Sequence, residues 1–263
     1  MVCSKKITSI LTPLLVCVAY LFLYLPMIIL VIFSFNDSPV SLKWTGFSLR
    51  WYANFLSSPE IINALWVSIV VAISSTLLSI TLSTCFVLSG RWWRSNFLYN
   101  IFYTNIVLPD IILAVSVLSI FTFFKIPLGY TSLIAGHTII GLGFAIPIIR
   151  ARFIELDPAL TEASLDLGAG YIQTFVKIIL PLLTPAIIAA SLLVFTLSLD
   201  DFLIAFFCSS PTVQTLSVYV YTMIKSFVDP TINAVSTCFL LVSSILILLL
   251  SAFKVIDKVI SHD

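Results

Sequence analysis

Charge is what this chain has least of. Of its 263 residues only 10% are Asp, Glu, Lys or Arg, whereas 60% are hydrophobic, and the mean hydropathy is +1.16. A soluble domain of this length carries about 25% charged residues. The apolar excess must face lipid, so the chain reads as an all-α integral membrane protein. A formal net charge of +1 leaves no electrostatic footprint for nucleic acid. Cysteine is sparse: Cys3, Cys17, Cys85, Cys208 and Cys238 are odd in number and scattered, and they read as small apolar fillers with neither a disulfide framework nor metal-ligand spacing. Histidine occurs only as His137 and His262. His137 reads as a hydrogen-bonded interior residue and receives no role. No GxxxxGK[ST] phosphate loop occurs, so no ATP site of that kind, no cofactor, no metal and no catalytic set is expected in this chain.

Long apolar runs are abundant. Crossing the hydrocarbon core takes about 20 apolar residues, and six candidate spans meet that length: about 9–34, 61–89, 97–124, 131–153, 182–207 and 232–253. Lys5 and Lys6 before an apolar run imitate a signal peptide. The run from Ile7 through Asn36 holds no charge, however, and is about twice the length of a signal-peptide apolar region, which predicts an uncleaved first span. The fourth span is the weakest, because Gly136, Gly141, Gly143 and Pro147 interrupt it, although Ala135 and Gly136 also permit close helix approach. No internal repeat is evident, and residues 1–263 are expected to form one domain.

Basic residues orient the spans. With the N-terminus cytoplasmic, the inner side carries Lys5, Lys6, Arg91, Arg94, Arg150, Arg152, Lys177, Lys254 and Lys258, and the outer side Lys43, Arg50, Lys125 and Lys225. That is 9 of the 13 against 4, which predicts both termini inside. Arg91-Trp92-Trp93-Arg94 reads as an interfacial anchor. Two outer segments, 35–60 and 208–231, are more than turns, and the second predicts an amphipathic helix around Thr215–Phe227. Their aromatics suit either a partner and vestibule or anchorage in lipid.

Three carboxylates stand inside apolar runs, where ionisable groups are costly and usually functional. Asp110 follows Leu108-Pro109, a sequence that turns it out of the helical ladder. At 1.5 Å per residue Asp110 lies about 21 Å along its span and Asp200 about 27 Å along its own, so both, and Asp201, reach the outer half of the membrane. Asp200 and Asp201 cannot face one spot unless their helix is broken, since neighbours on a helix point about 100° apart. Carboxylates without adjacent cations suit a positively charged substrate, and Phe195, Phe202, Phe206 and Phe207 offer ring faces to ammonium groups and cover for an alkyl stem. A capped helix break, or a buried carboxylate bonded to Ser or Thr, is the structural alternative.

The longest polar interlude is Glu162–Pro181, within a loop of about 155–181. Asp157 serves as an N-cap with Pro158 at the first helical position. Leu160, Ala163, Ser164 and Leu167 share one small or apolar face, Glu162 and Asp166 another, and Gly168 and Gly170 end the helix. A second short helix carries Tyr171, Phe175 and Ile178, and Pro181 begins the next span. Such a hairpin is too short to be stable alone in water and fits a groove on another protein. Glu162-Ala163-Ser164, then Gly168, Ile178 and Leu180-Pro181, resembles the EAA loop of ABC-importer permeases, with Ser164 at the place of the usual second Ala.

Phe195 through Phe202, Pro211, Thr215-Leu216, Tyr221-Thr222-Met223 and Pro230 through Thr237 resemble the C-terminal half of spermidine/putrescine importer permeases of the second-permease type. Ser34-Phe35-Asn36, Trp51-Tyr52 and Leu108-Pro109-Asp110 are similar to the same family in the first half. Ser210 and Ser217 depart from its pattern, at places where Gly and Pro are usual. The resemblance implies a type I ABC-importer permease fold of six transmembrane helices in a bacterial inner membrane. It implies a second permease subunit, ATP-binding cassette subunits that hydrolyse ATP in place of this chain, and an extracytoplasmic substrate-binding protein. Glu162, Ala163, Ser164, Gly168, Ile178 and Pro181 would couple to the ATPase. Asp110, Asp200, Asp201, Trp51 and Phe202 would line the polyamine pathway. Iron, thiamine or another organic cation is the alternative cargo, and an ion-coupled carrier or channel the alternative class.

Overall fold

With no water available in hydrocarbon, each backbone N–H and C=O must be satisfied within its own segment, and the long apolar runs accordingly form helices. A computed structural model describes residues 2–39, 43–89, 96–226 and 230–252. Twelve α-helices occur among them: α1 Val2–Phe33, α2 Arg50–Ser57, α3 Pro59–Ser89, α4 Asn96–Val107, α5 Asp110–Phe123, α6 Tyr130–Glu155, α7 Pro158–Asp166, α8 Tyr171–Thr174, α9 Leu180–Asp200, α10 Leu203–Cys208, α11 Leu216–Ser226 and α12 Thr231–Ala252. The Arg91–Arg94 anchor, Phe227, His262, Lys254 and Lys258 lie outside the described residues.

Four helical stretches are long and apolar enough to cross a membrane: Leu15–Phe33, Pro59–Ser89, Tyr130–Glu155 and Tyr171–Asp200. A fifth is obtained if Tyr99–Val107 and Asp110–Phe123, bent by 120°, count as one span, and the apolar part of α12, Thr231–Ile245, is shorter. Three expectations are corrected. The third span is not one straight helix. Pro109 has no N–H and biases Leu108 away from helical backbone, so the first ladder ends at Leu108 N–H donating to Thr104 O, and a new one starts on Pro109 O. Height along a straight rod therefore does not locate Asp110. The fourth span is unbroken and carries the highest buried share of the long helices. Its glycines act by lacking a Cβ: one added at Gly136 would meet Ile204, at Gly141 Ser79 and Val194, and at Gly143 Asn105, so α6 is approached closely by α10, α3, α9 and α4. The fifth span ends at Asp200, short of residue 207. At its other end Pro181 does not separate two helices: a single π-helical turn, Phe175–Ile179, joins α8 to α9 just before that proline. The wider turn relieves the ladder where proline offers no donor.

The chain falls into two compact units. The first comprises Met1–Pro59 and Val220–Val242. Its segment after α1 folds around Asn36, whose Nδ2 donates to Lys43 O at 2.6 Å and whose Oδ1 accepts from Thr45 N at 2.9 Å. The Ser34 and Tyr52 hydroxyls meet at 2.7 Å. The second unit comprises Glu60–Tyr219 and Ser243–Asp263. One of its two apolar cores joins Val67 and Val71 of α3 to Leu113 and Val117 of α5, Leu133 of α6 and Ile204 of α10. The other joins Val87 of α3 and Tyr99 of α4 to Ile146 and Ile149 of α6 and Val194 of α9. The α6 helix belongs to both.

Candidate functional site

Two places in the second unit carry chemistry. The first is the interruption between α9 and α10. Asp201 leaves the helix with φ −64° and ψ 131°, and its Oδ2 accepts the Ala205 N–H of α10 at 2.9 Å. The carboxylate thus satisfies one of the donors that a helix start leaves open. Helix α10 then packs on α5 and α6, because Gly136 admits Ile204. Asp110 opens α5, where the N-terminal end of the helix dipole favours an anion. It lies within Coulombic reach of Asp201. Two carboxylates on different helices, each at a helix break, thus feel one another's charge, and Asp110 is exposed. Among the described residues no Lys or Arg lies within ion-pair distance of Asp110, Asp200 or Asp201.

Asp200 and Asp201 are separated by the break, which frees them from the 100° spacing of an intact helix. Asp200, on the last turn of α9, is exposed and receives no hydrogen bond among the described residues. Phe202 stands in the interruption with its ring centroid 5.5 Å from that of Phe206, half-buried against the core. Trp51 belongs to the other unit. It is 5% exposed, its Nε1 donates to Asn36 O at 2.6 Å, and Arg50 lies over its ring at 5.1 Å. Its indole N–H and one ring face are therefore already engaged.

Sequence reasoning missed the polar partners of Asp201. His137 is buried in α6. Its Nδ1 lies 2.9 Å from Ser198 Oγ, which lies 3.2 Å from Ser75 Oγ, and its Nε2 lies 3.8 Å from Asp201 Oδ2. The available signal was the placement of Ser198 three residues before Asp201 on one helix, a spacing that puts both on one face.

The second place is the hairpin. Asp157 Oδ1 accepts the Ala159 N–H at 2.9 Å, with Pro158 in the first turn, as the capping pattern predicts. Gly168 ends the helix at φ +85°, a left-handed backbone that glycine adopts without strain, with open space where a Cβ would stand. The small or apolar face of α7 is exposed except at Ser164. Thr161 and Ser164 are buried, whereas Leu160, Ala163 and Leu167 are exposed, because Ser164 Oγ is drawn to Thr174 Oγ1 at 2.9 Å and pins the two limbs together. Glu162 is exposed as well, Ile178 is half-buried and Pro181 is exposed. Leu167 at 89% and Ile172 at 81% stand free at the tip. Behind the hairpin a cavity of about 430 Å³ reaches Leu88, Phe153 and Phe175.

Residues 75–262 match the family model described as binding-protein-dependent transport system inner membrane component. The chain is 33% identical over 233 residues to the spermidine/putrescine transport system permease protein PotC of Escherichia coli strain K12, covering 87% of this chain and 88% of that protein. It is 35% identical over 231 residues to the putrescine transport system permease protein PotI of the same strain, covering 84% and 82%. Among solved structures it is similar to a chain of a bacterial ABC transporter involved in the import of the acidic polysaccharide alginate, with a TM-score of 0.71 at 17% identity, covering 98% of each chain. The inward-facing MetNI methionine ABC transporter is also similar, with a TM-score of 0.58 at 16% identity, covering 76% of this chain and 95% of that one.

Proposed function

The chain belongs to the family of binding-protein-dependent transport system inner membrane components, and on that premise we propose that it is the permease subunit of an ATP-driven polyamine importer. Membership makes it a multi-pass membrane permease. In the proposed assembly it spans a bacterial inner membrane as one permease domain, with both termini cytoplasmic. It pairs with a second permease and receives spermidine or putrescine from an extracytoplasmic binding protein. It performs no covalent chemistry and needs no cofactor, since ATP hydrolysis belongs to separate cassette subunits.

The observation that carries the cargo assignment is the placing of Asp110 and Asp201 at helix breaks without a Lys or Arg partner among the described residues, in a chain about one-third identical to polyamine permeases. Fold similarity alone carries no cargo, since the alginate and methionine systems share the fold. Carboxylates without a basic partner favour an ammonium over an anion by simple Coulomb attraction. Asp200, exposed at the break, offers a further charge to the same cargo, and Phe202 an apolar surface for its methylene stem. Trp51 holds the Asn36 loop of its own unit in place.

Coupling is assigned to the hairpin. Glu162, Ala163 and Gly168 stand exposed to meet the ATPase, Ser164 stiffens the fold, and Ile178 and Pro181 tie it to α9. ATP-driven movement of the hairpin would then pass along the continuous helical stretch to Asp200 and the break.

The test is to express the chain with its genomic neighbours in a host without polyamine uptake. Purification should bring down an ATP-binding subunit, and cells should accumulate labelled spermidine or putrescine but not labelled thiamine or ferric iron. An assembled, ATP-hydrolysing complex that imports thiamine or iron and neither amine would refute the cargo. A functional carrier with no ATPase attached would refute the class.

A further inference from the structure

We propose that His137 is a positioning residue for Asp201, donating from Nε2 to its carboxylate at the end of a hydroxyl chain that runs Ser75–Ser198–His137. This rests on Asp201 belonging to the cation pathway proposed above. The imidazole is completely buried, whereas the Asp201 side chain keeps 14% of its surface open, so the chain runs from the interior outward and ends on the group that cargo can reach. Among the described residues Nε2 has no hydrogen-bond partner. A buried ring nitrogen left unpaired is costly. Its nearest acidic neighbour is Asp201 Oδ2, and at 3.8 Å a shift of about 1 Å brings the two into hydrogen-bond range.

Proton counting selects the direction. Each serine hydroxyl holds one proton, and neutral imidazole holds one on either nitrogen. In one arrangement Ser75 donates to Ser198, Ser198 donates to Nδ1, and the proton on Nε2 faces the carboxylate. In the other, Nδ1 donates to Ser198, Ser198 to Ser75, and Ser75 to Ala72 O at 3.3 Å. The second arrangement turns the Nε2 lone pair onto a carboxylate oxygen, which is repulsive unless Asp201 takes up a proton. The first keeps Asp201 charged and fixes its orientation, as an ammonium site requires. The carboxylate thus selects the histidine tautomer, and the Ser75 and Ser198 hydroxyls, which serve either arrangement, hold the ring in place. The other side chains acting on Asp201 electrostatically are Asp110 on α5 and Cys208 on α10; neither is a cation, and among the described residues neither is hydrogen-bonded to its carboxylate, which leaves His137 as the side-chain donor.

The ends of the imidazole can be tested separately. Glutamine reaches the place of Nε2 and asparagine the place of Nδ1. Complete complexes of permeases, ATPase and binding protein, carrying wild type, His137→Gln, His137→Asn or Ser198→Ala, would be read in two ways. Spermidine uptake in proteoliposomes gives KM and kcat. Labelling of Asp201 by dicyclohexylcarbodiimide, followed by peptide mass spectrometry, needs no cargo and is faster when the carboxyl holds a proton. Positioning predicts near wild-type behaviour for His137→Gln. For His137→Asn it predicts a KM raised on the order of tenfold, the scale of one lost hydrogen bond to a charged group, with kcat less changed. Asp201 labelling should quicken several-fold in His137→Asn and in Ser198→Ala.

The reverse pattern, with His137→Asn normal and His137→Gln impaired, would reduce His137 to a packing partner of Ser198 and overturn the proposal. Unchanged labelling in His137→Asn would overturn it too. Should both His137 variants fail to assemble, Ser198→Ala decides, and wild-type labelling there counts against the chain. If the wild-type complex imports neither amine, the cargo assignment fails while the labelling arm still decides the role of His137.

Discussion

The hairpin and the acidic break put their functional groups on display in opposite ways. The hairpin is a local structure whose apolar residues face outward: Leu167 and Ile172 are largely uncovered among the described residues. Its limbs hold together through a cap, a glycine and one hydroxyl pair. The acidic break draws on α5, α6, α9 and α10, and its Asp201 faces a buried histidine. A docking element must keep its own fold while leaving its contact face unpaired. A pathway element must hold a charge away from water, which takes support from distant parts of the chain. Changes at the hairpin should therefore alter communication with the ATPase and spare the pathway, and changes at the break should do the reverse.

The largest effect is expected at the hairpin tip. Gly168→Asp imposes a left-handed backbone on a residue with a Cβ, costing roughly 1–2 kcal/mol locally, and places a charge on the docking face. Among the described residues nothing lies within 4 Å of a Cβ placed there. Transport should be abolished while the permease pair still assembles, as measured by uptake beside co-purification. Normal uptake would remove the hairpin from coupling.

Next is Asp201→Asn. Asparagine can still accept the Ala205 N–H, so the cap survives and only the charge is lost. Uptake should fall on the order of tenfold at normal protein level. Asp201→Ala should also lower the protein level, because a lost cap costs about 1 kcal/mol. Equal uptake by wild type and Asp201→Asn would leave Asp201 as a structural cap alone.

A smaller effect is expected at Trp51→Phe, which keeps the ring and removes the bond to Asn36 O. Thermal stability of the purified protein should drop by about 1 kcal/mol with transport largely retained. A large loss of uptake without a stability change would give the indole a direct part in the pathway. The smallest effect is expected at Ser164→Ala. Its hydroxyl bridges to Thr174, and removing it should cost about 1 kcal/mol within the hairpin while uptake stays within about twofold. A full loss of coupling would mean that the bridge, and not the exposed face, governs docking.

The same contrast explains what could be read from the sequence. Asp157-Pro158 and Gly168 act through their immediate neighbours, so their cap and turn were legible before any contact was known. The Leu108-Pro109 break was legible for the same reason, but its 120° bend was not, since the angle depends on how α4 and α5 pack. Asn105, donating to Ile139 O at 2.9 Å where Gly143 leaves room, is part of that packing. The glycines of α6 were read in two ways: as interruptions, which the unbroken helix corrects, and at Gly136 as a place of close helix approach, which the structure bears out. His137 was passed over because its partners, Ser75, Ser198 and Asp201, come from other helices and no local spacing announces them. The acids themselves stood out, since carboxylates are rare in apolar runs.

The most direct test of the central claim is ATP-dependent uptake of labelled spermidine into proteoliposomes holding the complete complex, with wild type, Asp110→Asn and Asp201→Asn side by side. Saturable uptake by wild type, weakened in both variants at equal reconstitution and equal basal ATP hydrolysis, is the predicted result. Uptake indifferent to both substitutions would contradict an acidic cation pathway at the helix break.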